Sequence, residues 1–286
     1  MRYEAPTTVE AAVSLLSAEA GLAKVLSGGT DLLVQMRMGM VEPDLIVDTK
    51  RIPGFGDIVE ENGGYRVGGA VPSAELNEHA GFTAMYPGVA EGADLIGSTQ
   101  VQGRATITGN LCNAGPAADS VPCAVAVGCV ARIAGPNGTR DVAIEDIPQA
   151  PGKTSLEKGE LVESLFFPAK PANTGDAYLR FIPRTEMDIA VAGCGISITL
   201  DDAGTCTAAK VAIGAVAIKV LVVDEAAQAL IGTKVDDAAL EALASACSEA
   251  AKPITDKRGT VEFRKEVVGV LAKRAAKIAL DRAKGA

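Results

Sequence analysis

Apolar positions along the chain alternate between two periods. Over residues 8–20, Val9, Ala12, Val13 and Leu16 recur at helical spacing, with Thr7 or Thr8 able to cap the start and Gly21 to close the segment. Lys24-Val25-Leu26 is a short apolar run that stops at Gly28-Gly29, after which residues 30–38 resume a helical pattern. Leu45-Ile46-Val47, within residues 44–49, predicts a second strand and completes a compact β-α-β unit. Asn62-Gly63-Gly64 divides Ile58-Val59 from Tyr65-Arg66-Val67 and predicts a hairpin. Residues 73–80 and 87–95 predict short helices. Periodicity then fails over residues 97–122, and a long stretch without regular structure inside a compact chain is functional or disordered. Its few charges and several apolar side chains favour a functional loop.

Beyond that loop, residues 122–127 predict a buried helix. Residues 130–133 predict a strand that turns through 136–139 to a partner at 142–144. Residues 148–160 look loop-like and 161–166 predict another strand. The proline-rich stretch 168–173 is the predicted domain boundary. After it come three expected strands, 178–182, 189–200 and 206–216, the last two joined tightly through 201–205. The remainder is helical: 225–231, 236–252 and 261 to the end, where Phe263, Val267, Val270, Leu271, Ala275, Ile278 and Ala279 form one expected apolar stripe opposite a basic, solvated face. The fold class expected is α+β, with domains at 1–170 and 171–286.

Composition narrows the function. At 286 residues the chain is long enough for about two domains and for a core that needs no disulfide or metal staple. It carries 27 basic and 36 acidic residues, a net charge of −9, which repels phosphate backbones; with no Trp and 3 % aromatics, nucleic acid is excluded as a natural partner. The start has no apolar stretch behind Arg2, and no run of about 18 apolar residues occurs, so neither a secretory signal nor a membrane span is expected. Cys112, Cys123, Cys129, Cys194, Cys206 and Cys247 include no C-x-x-C pair. That spacing predicts reduced, partly buried thiols in a cytoplasmic protein and no metal site in this chain.

Two segments carry candidate chemistry. In Ser27-Gly28-Gly29-Thr30-Asp31-Leu32, glycines between a strand and a helix let backbone N–H groups approach an anion, and Thr30 or Asp31 can cap the helix. Taken alone, the segment fits a plain tight turn equally well. Thr106-Ile107-Thr108-Gly109-Asn110 is a second small-residue turn with hydroxyl and amide donors, and Asp119 beyond it can accept from ribose hydroxyls or cap a helix. Other classes are excluded. Gly54-Phe55-Gly56 has Val59 where a Rossmann fingerprint needs its third glycine, and no G-x-x-x-x-G-K-[ST] or G-x-S-x-G exists. The single histidine, His79, sits at a predicted helix end, which disfavours a Ser-His-Asp hydrolase. What remains is a holder for a cofactor that does its own redox chemistry.

The pair Ser-Gly-Gly-Thr-Asp-Leu-Leu and Thr-Ile-Thr-Gly-Asn-Leu-Cys-Asn-Ala-Gly-Pro-Ala-Ala-Asp resembles the FAD-binding medium subunit of the molybdenum hydroxylases, of the carbon monoxide dehydrogenase and xanthine dehydrogenase type. The likeness extends to the opening Tyr-Glu-Ala-Pro, to Val67-Gly68-Gly69-Ala70, to Gly159-Glu160-Leu161 and to Asp256-Lys257-Arg258-Gly259. The resemblance implies a two-lobed FAD-binding domain of the vanillyl-alcohol-oxidase (PCMH) type, lobes 1–53 and 54–170, followed by a C-terminal three-stranded antiparallel sheet with helices. It implies that Ser27 to Leu32 and Thr106 to Asn110 wrap the FAD diphosphate from two sides, that Asp119 holds the adenosine ribose, and that Asp188-Ile189 lies near the flavin ring. Partners would be a large subunit with the molybdenum cofactor and a small subunit with 2Fe–2S clusters. FAD would collect their electrons for an external acceptor, with no catalytic side chain in this chain. Two positions depart from the family: Thr108 replaces a usual glycine, so negative φ is expected there, and Ile189 replaces a tyrosine found in some relatives. The rival readings are a stand-alone FAD-dependent oxidoreductase and a non-catalytic assembly subunit.

Overall fold

The computed structural model describes residues 1–185 and 187–285. Its first layer is a parallel sheet with Leu45–Asp48 between Arg2–Glu4 and Ala23–Leu26. All four residues of the central strand are buried, as expected of a parallel strand covered on both faces. The helix Val9–Ala18 sets Ala12 and Leu16 against Leu45 and Val47, and Thr8 caps it by accepting from Ala11 N–H. The strand Arg2–Glu4 was not expected, because three mostly exposed residues show no periodicity.

The second lobe is a five-stranded antiparallel sheet in the order Ile58–Glu61, Gly64–Gly68, Leu161–Phe167, Val130–Gly135, Gly138–Ala143. The first hairpin turns through Asn62 and Gly63 at φ 51° and 76°, the left-handed pair a two-residue turn requires. Behind the sheet, Tyr65, Phe82, Tyr86 and Phe167 pack edge-to-face or tilted. The helix expected over 73–80 is two, Ser73–Glu78 and Ala80–Met85, because His79 ends one and caps the next: its Nδ1 accepts from Phe82 N–H at 3.0 Å. A further helix, Pro87–Asp94, follows.

The expected loop over 97–122 is a correction. It contains the helices Thr99–Gln102 and Ile107–Cys112 and the start of Ser120–Ala126. The first two are too short to display a 3.6-residue period, whereas the buried helix expected over 122–127 is present and begins two residues earlier. Within 148–160, Pro148–Ala150 and Lys153–Thr154 form a two-stranded ribbon.

The C-terminal sheet is antiparallel, Thr174–Phe181, Ala192–Leu200, Cys206–Gly214 and Leu221–Val222. It has four strands rather than three, the last being only two residues long. Asp224–Leu230, Asp237–Ala250 and Val261–Ala283 share its core. On the last helix the buried seam is Val268, Leu271, Ala272, Ala275, Ala276 and Ala279, whereas Phe263 and Val270 of the expected stripe are 39 % and 43 % exposed. Small side chains let this helix lie directly on the sheet: a Cβ on Gly175 would stand 2.0 Å from Ala279 O. No helix among the described residues is long and apolar enough to cross a membrane.

Candidate cofactor cleft

The first bend leaves the strand Ala23–Leu26, passes Ser27 to Asp31 and enters the helix Leu32–Arg37. Gly29 takes φ 79°, which an L side chain adopts only with strain. The second bend is the start of Ile107–Cys112. Thr106 caps it, Oγ1 accepting from Gly109 N–H at 2.8 Å. Thr108 belongs to that helix and has no positive φ, as its β-branched side chain requires.

The two bends touch. Ser27 Oγ donates to Gly69 O at 2.8 Å and stands 3.3 Å from Thr106 Oγ1. Since the Ser27 proton is committed to that carbonyl, the Thr106 hydroxyl donates to Ser27. Further along, Gln35 Nε2 donates to Asn113 Oδ1 at 3.0 Å. At Gly28 the approach is closest: a Cβ there would lie 1.8 Å from Arg104 O. Between the bends lies a cleft of about 170 Å³. Ser27, Gly28, Gly29, Thr30, Asp31 and Leu32 line one side and Thr106, Thr108, Gly109 and Asn110 the other.

Among the described residues, no acceptor receives the backbone N–H groups of Gly28, Gly29, Thr30, Asp31 and Leu32, or those of Thr106, Ile107 and Thr108. Peptide N–H groups turned to a cleft without protein partners are donors for an anionic ligand. The charged side chains of the lining are Lys24, Asp31 and Glu160. Desolvation raises the Asp31 carboxyl above its ordinary range. Arg140 donates to both oxygens of Glu160 at 2.8 Å and holds its carboxyl below the ordinary range against partial burial.

Four expected site residues do not line the cleft. Ile107 is buried beneath the second bend. The Asp119 carboxylate accepts from Tyr178 Oη at 2.8 Å and Arg180 Nη1 at 2.5 Å, so both oxygens are committed to the C-terminal sheet. Burial raises its carboxyl, with Arg180 and Tyr178 pulling the other way. Asp188 accepts from Arg184 Nε at 3.1 Å and from Ile189 N–H at 2.9 Å. Arg184 first of all, then the Ile189 amide and nearby Arg258, bring its carboxyl down to about 2. Ile189 is 53 % exposed. Lys24, Gln35, Gly69, Asn113 and Glu160 line the cleft without having been expected there. Of these, Gly69, Asn113 and Glu160 lie in segments that carried the family likeness, whereas Lys24 and Gln35 had no sequence signal.

A parallel-sheet lobe and an antiparallel lobe, with two donor-rich bends lining one cleft, form a site suited to an anionic ligand. Residues 1–170 match the family described as the FAD binding domain in molybdopterin dehydrogenase, and residues 177–279 match the CO dehydrogenase flavoprotein C-terminal domain. The chain belongs to this family of molybdopterin dehydrogenase FAD-binding subunits. It is 30 % identical over 282 residues to the carbon monoxide dehydrogenase medium chain of Afipia carboxidovorans, covering 99 % of this chain and 97 % of that one. It is 29 % identical over 274 residues to the xanthine dehydrogenase FAD-binding subunit of Escherichia coli O157:H7, covering 95 % and 93 %. The crystal structure of Cu,Mo-CO dehydrogenase in its cyanide-inactivated form superposes with a TM-score of 0.94 at 30 % identity, covering 99 % of this chain and 98 % of that one.

Proposed function

We propose that this chain is the FAD-carrying subunit of a molybdenum hydroxylase complex, with residues 1–170 as its FAD-binding domain and 171–286 as its C-terminal domain. The observation that carries the reading is the convergence of Ser27–Thr106 and Gly28–Arg104 on one cleft edged by unpartnered N–H groups. The donor set fits a diphosphate. Neutral amides can approach it from both sides, and glycine at 28 and 29 lets the main chain come close. The enclosed space suits the diphosphate, and the two ends of the dinucleotide extend from it. Ser27 to Leu32 bind one face, Thr106 to Asn110 the other, and the Ser27–Thr106 hydroxyl pair keeps the two in register.

The chemistry FAD supplies when bound is electron relay, from the 2Fe–2S clusters of a small partner subunit to an external acceptor. The organic substrate is oxidised at the molybdenum cofactor of a large partner subunit, so no side chain of this chain acts on it as acid or base. The cytoplasm is the compartment that suits six free thiols. The test is flavin content: the chain purified with its partners carries one FAD per copy, and the flavin-free chain takes FAD up with a shifted absorption spectrum. A folded chain that neither carries nor takes up FAD overturns the reading.

A further inference from the structure

Behind the first bend, outside the cleft lining, stands a short chain of polar contacts that the cofactor reading does not use. Asp48, at the end of the central strand Leu45–Asp48, is only 6 % exposed. Its Oδ2 accepts from Tyr3 Oη at 2.5 Å, and its Oδ1 accepts from Lys50 N–H at 3.0 Å and pairs with Lys50 Nζ at 2.7 Å. Burial alone would raise this carboxyl, but Lys50 and Tyr3 hold it below the ordinary range, so it is a fixed anion at neutral pH. The Lys50 ammonium, anchored there, donates a second bond to Ser27 O at 3.0 Å.

That carbonyl belongs to the Ser27–Gly28 peptide. The bond is trans, and in a trans peptide C=O and N–H point in opposite directions. Holding Ser27 O towards Lys50 therefore turns Gly28 N–H away from Lys50, and no described residue accepts it; Ser27 and Gly28 both line the cleft. The peptide needs such a hold. Rotation about it involves φ of Gly28, which has no Cβ to resist a flip, and a flipped peptide would aim a carbonyl oxygen at the ligand's phosphates. The geometry points to Lys50 as a positioning residue for the diphosphate: anchored by Asp48 and Tyr3, it locks the Ser27–Gly28 peptide with its N–H presented to the cleft. The inference rests on the cleft being the FAD site.

The experiment uses the full chain freed of flavin and three probes: FAD, ADP, which keeps the diphosphate, and riboflavin, which lacks it. Lys50→Met is expected to weaken FAD and ADP about tenfold or more, the order of a lost hydrogen bond to a charged group. Riboflavin affinity should stay at the wild-type value; the melting temperature of the apo chain falls, since the buried Asp48 carboxylate loses its cation, and the diphosphate effect is therefore read as the ADP loss relative to the riboflavin loss. Lys50→Arg, which keeps a cation donor, should stay within about threefold of wild type for FAD. A Lys50→Met chain that binds FAD and ADP like wild type overturns the assignment, as does one that loses riboflavin and FAD affinity in equal measure. A wild-type chain that binds neither FAD nor ADP overturns the function reading as well, which separates the two failures.

Discussion

Gly28 and Gly29 are adjacent, yet replacing them with alanine should harm the protein for different reasons. At Gly28 the new Cβ would stand 1.8 Å from Arg104 O, 2.7 Å from Arg104 C and 3.1 Å from Ala105 Cα. All three neighbours are backbone, so no side chain can swing aside; one bend must withdraw from the other by more than about 1 Å before the contact becomes ordinary. Overpacking of this kind costs about 1–3 kcal/mol of stability. For a chain of this size that is a fall in melting temperature of roughly 2–4 °C for each kcal/mol. The larger loss is functional. The withdrawal separates two donor walls that, in the proposed site, would reach one diphosphate together, and a misplacement of about 1 Å at a preorganised site costs on the order of a hundredfold.

At Gly29 the nearest atoms are Leu26 Cδ1 at 2.8 Å and Leu33 Cδ1 at 3.3 Å, both ends of flexible side chains. The penalty there comes mainly from φ 79°, about 1–2 kcal/mol for an alanine. Gly28→Ala should therefore be the more damaging of the two for FAD affinity at a comparable cost in stability. The assay is paired: flavin per chain after purification, with a titration of the apo chain by FAD, and calorimetry of the apo chain. If Gly28→Ala retains full flavin content and wild-type affinity, the two bends do not act on one ligand, and the convergence argument fails.

Three further outcomes follow from other parts of the structure. Asp119→Asn leaves Arg180 without its anion between the second lobe and the C-terminal sheet, and removing one partner of a buried pair costs about 3–5 kcal/mol, readable by denaturant titration; unchanged stability would show the pair to be dispensable. The Asp188 carboxyl is depressed to about 2, so its contribution is present above its unfolded value near 4 and lost as pH falls from there towards 2. Proteolysis within residues 187–191 should accelerate over that window in the wild type and lack the acid transition in Asp188→Asn. Burial raises the thiols of Cys123 and Cys129 well above their ordinary value, and the Cys194 thiol is raised first by its hydrogen bond with Cys247 and then by burial. These three should resist a thiol reagent at pH 8 until the chain is unfolded, and rapid labelling of any of them in the native protein would contradict the packing.

The glycine bends were legible because what they demand is local. Gly29 needs a positive φ, and Gly28 and Gly109 sit where a strand or loop gives way to a helix, so small residues at a period break mark both places without knowledge of the fold. Asp119 was not legible in the same way. An acidic residue among small ones reads as a cap or a ligand, and only Tyr178 and Arg180, brought in from the strand Thr174–Phe181, give its carboxylate a third use. The helices Thr99–Gln102 and Ile107–Cys112 escaped because four to six residues make fewer than two turns, too few for an apolar stripe to repeat. Leu221–Val222 escaped as a strand because its length leaves no alternation to see.

Lys50 illustrates the remaining gap between pattern and chemistry. In sequence it is one more charge after a buried strand, indistinguishable from the many lysines whose ammonium is simply solvated. Its place depends on the parallel pairing of Ala23–Leu26 with Leu45–Asp48, which sets Leu26 opposite Asp48 and so brings the residues just past both strand ends together. The same pairing explains how an acidic chain can hold a doubly charged group. The cleft offers a diphosphate neutral amides on its inner surface, and Lys50 lies behind the main chain, already paired with Asp48. Discrimination then comes from donor geometry more than from charge. Under the proposed function, a free phosphate of the same charge would meet only part of the donor set, whereas a diphosphate linking two bulky groups would meet both bends, and that would place the burden of specificity on the distance between Ser27 and Thr106.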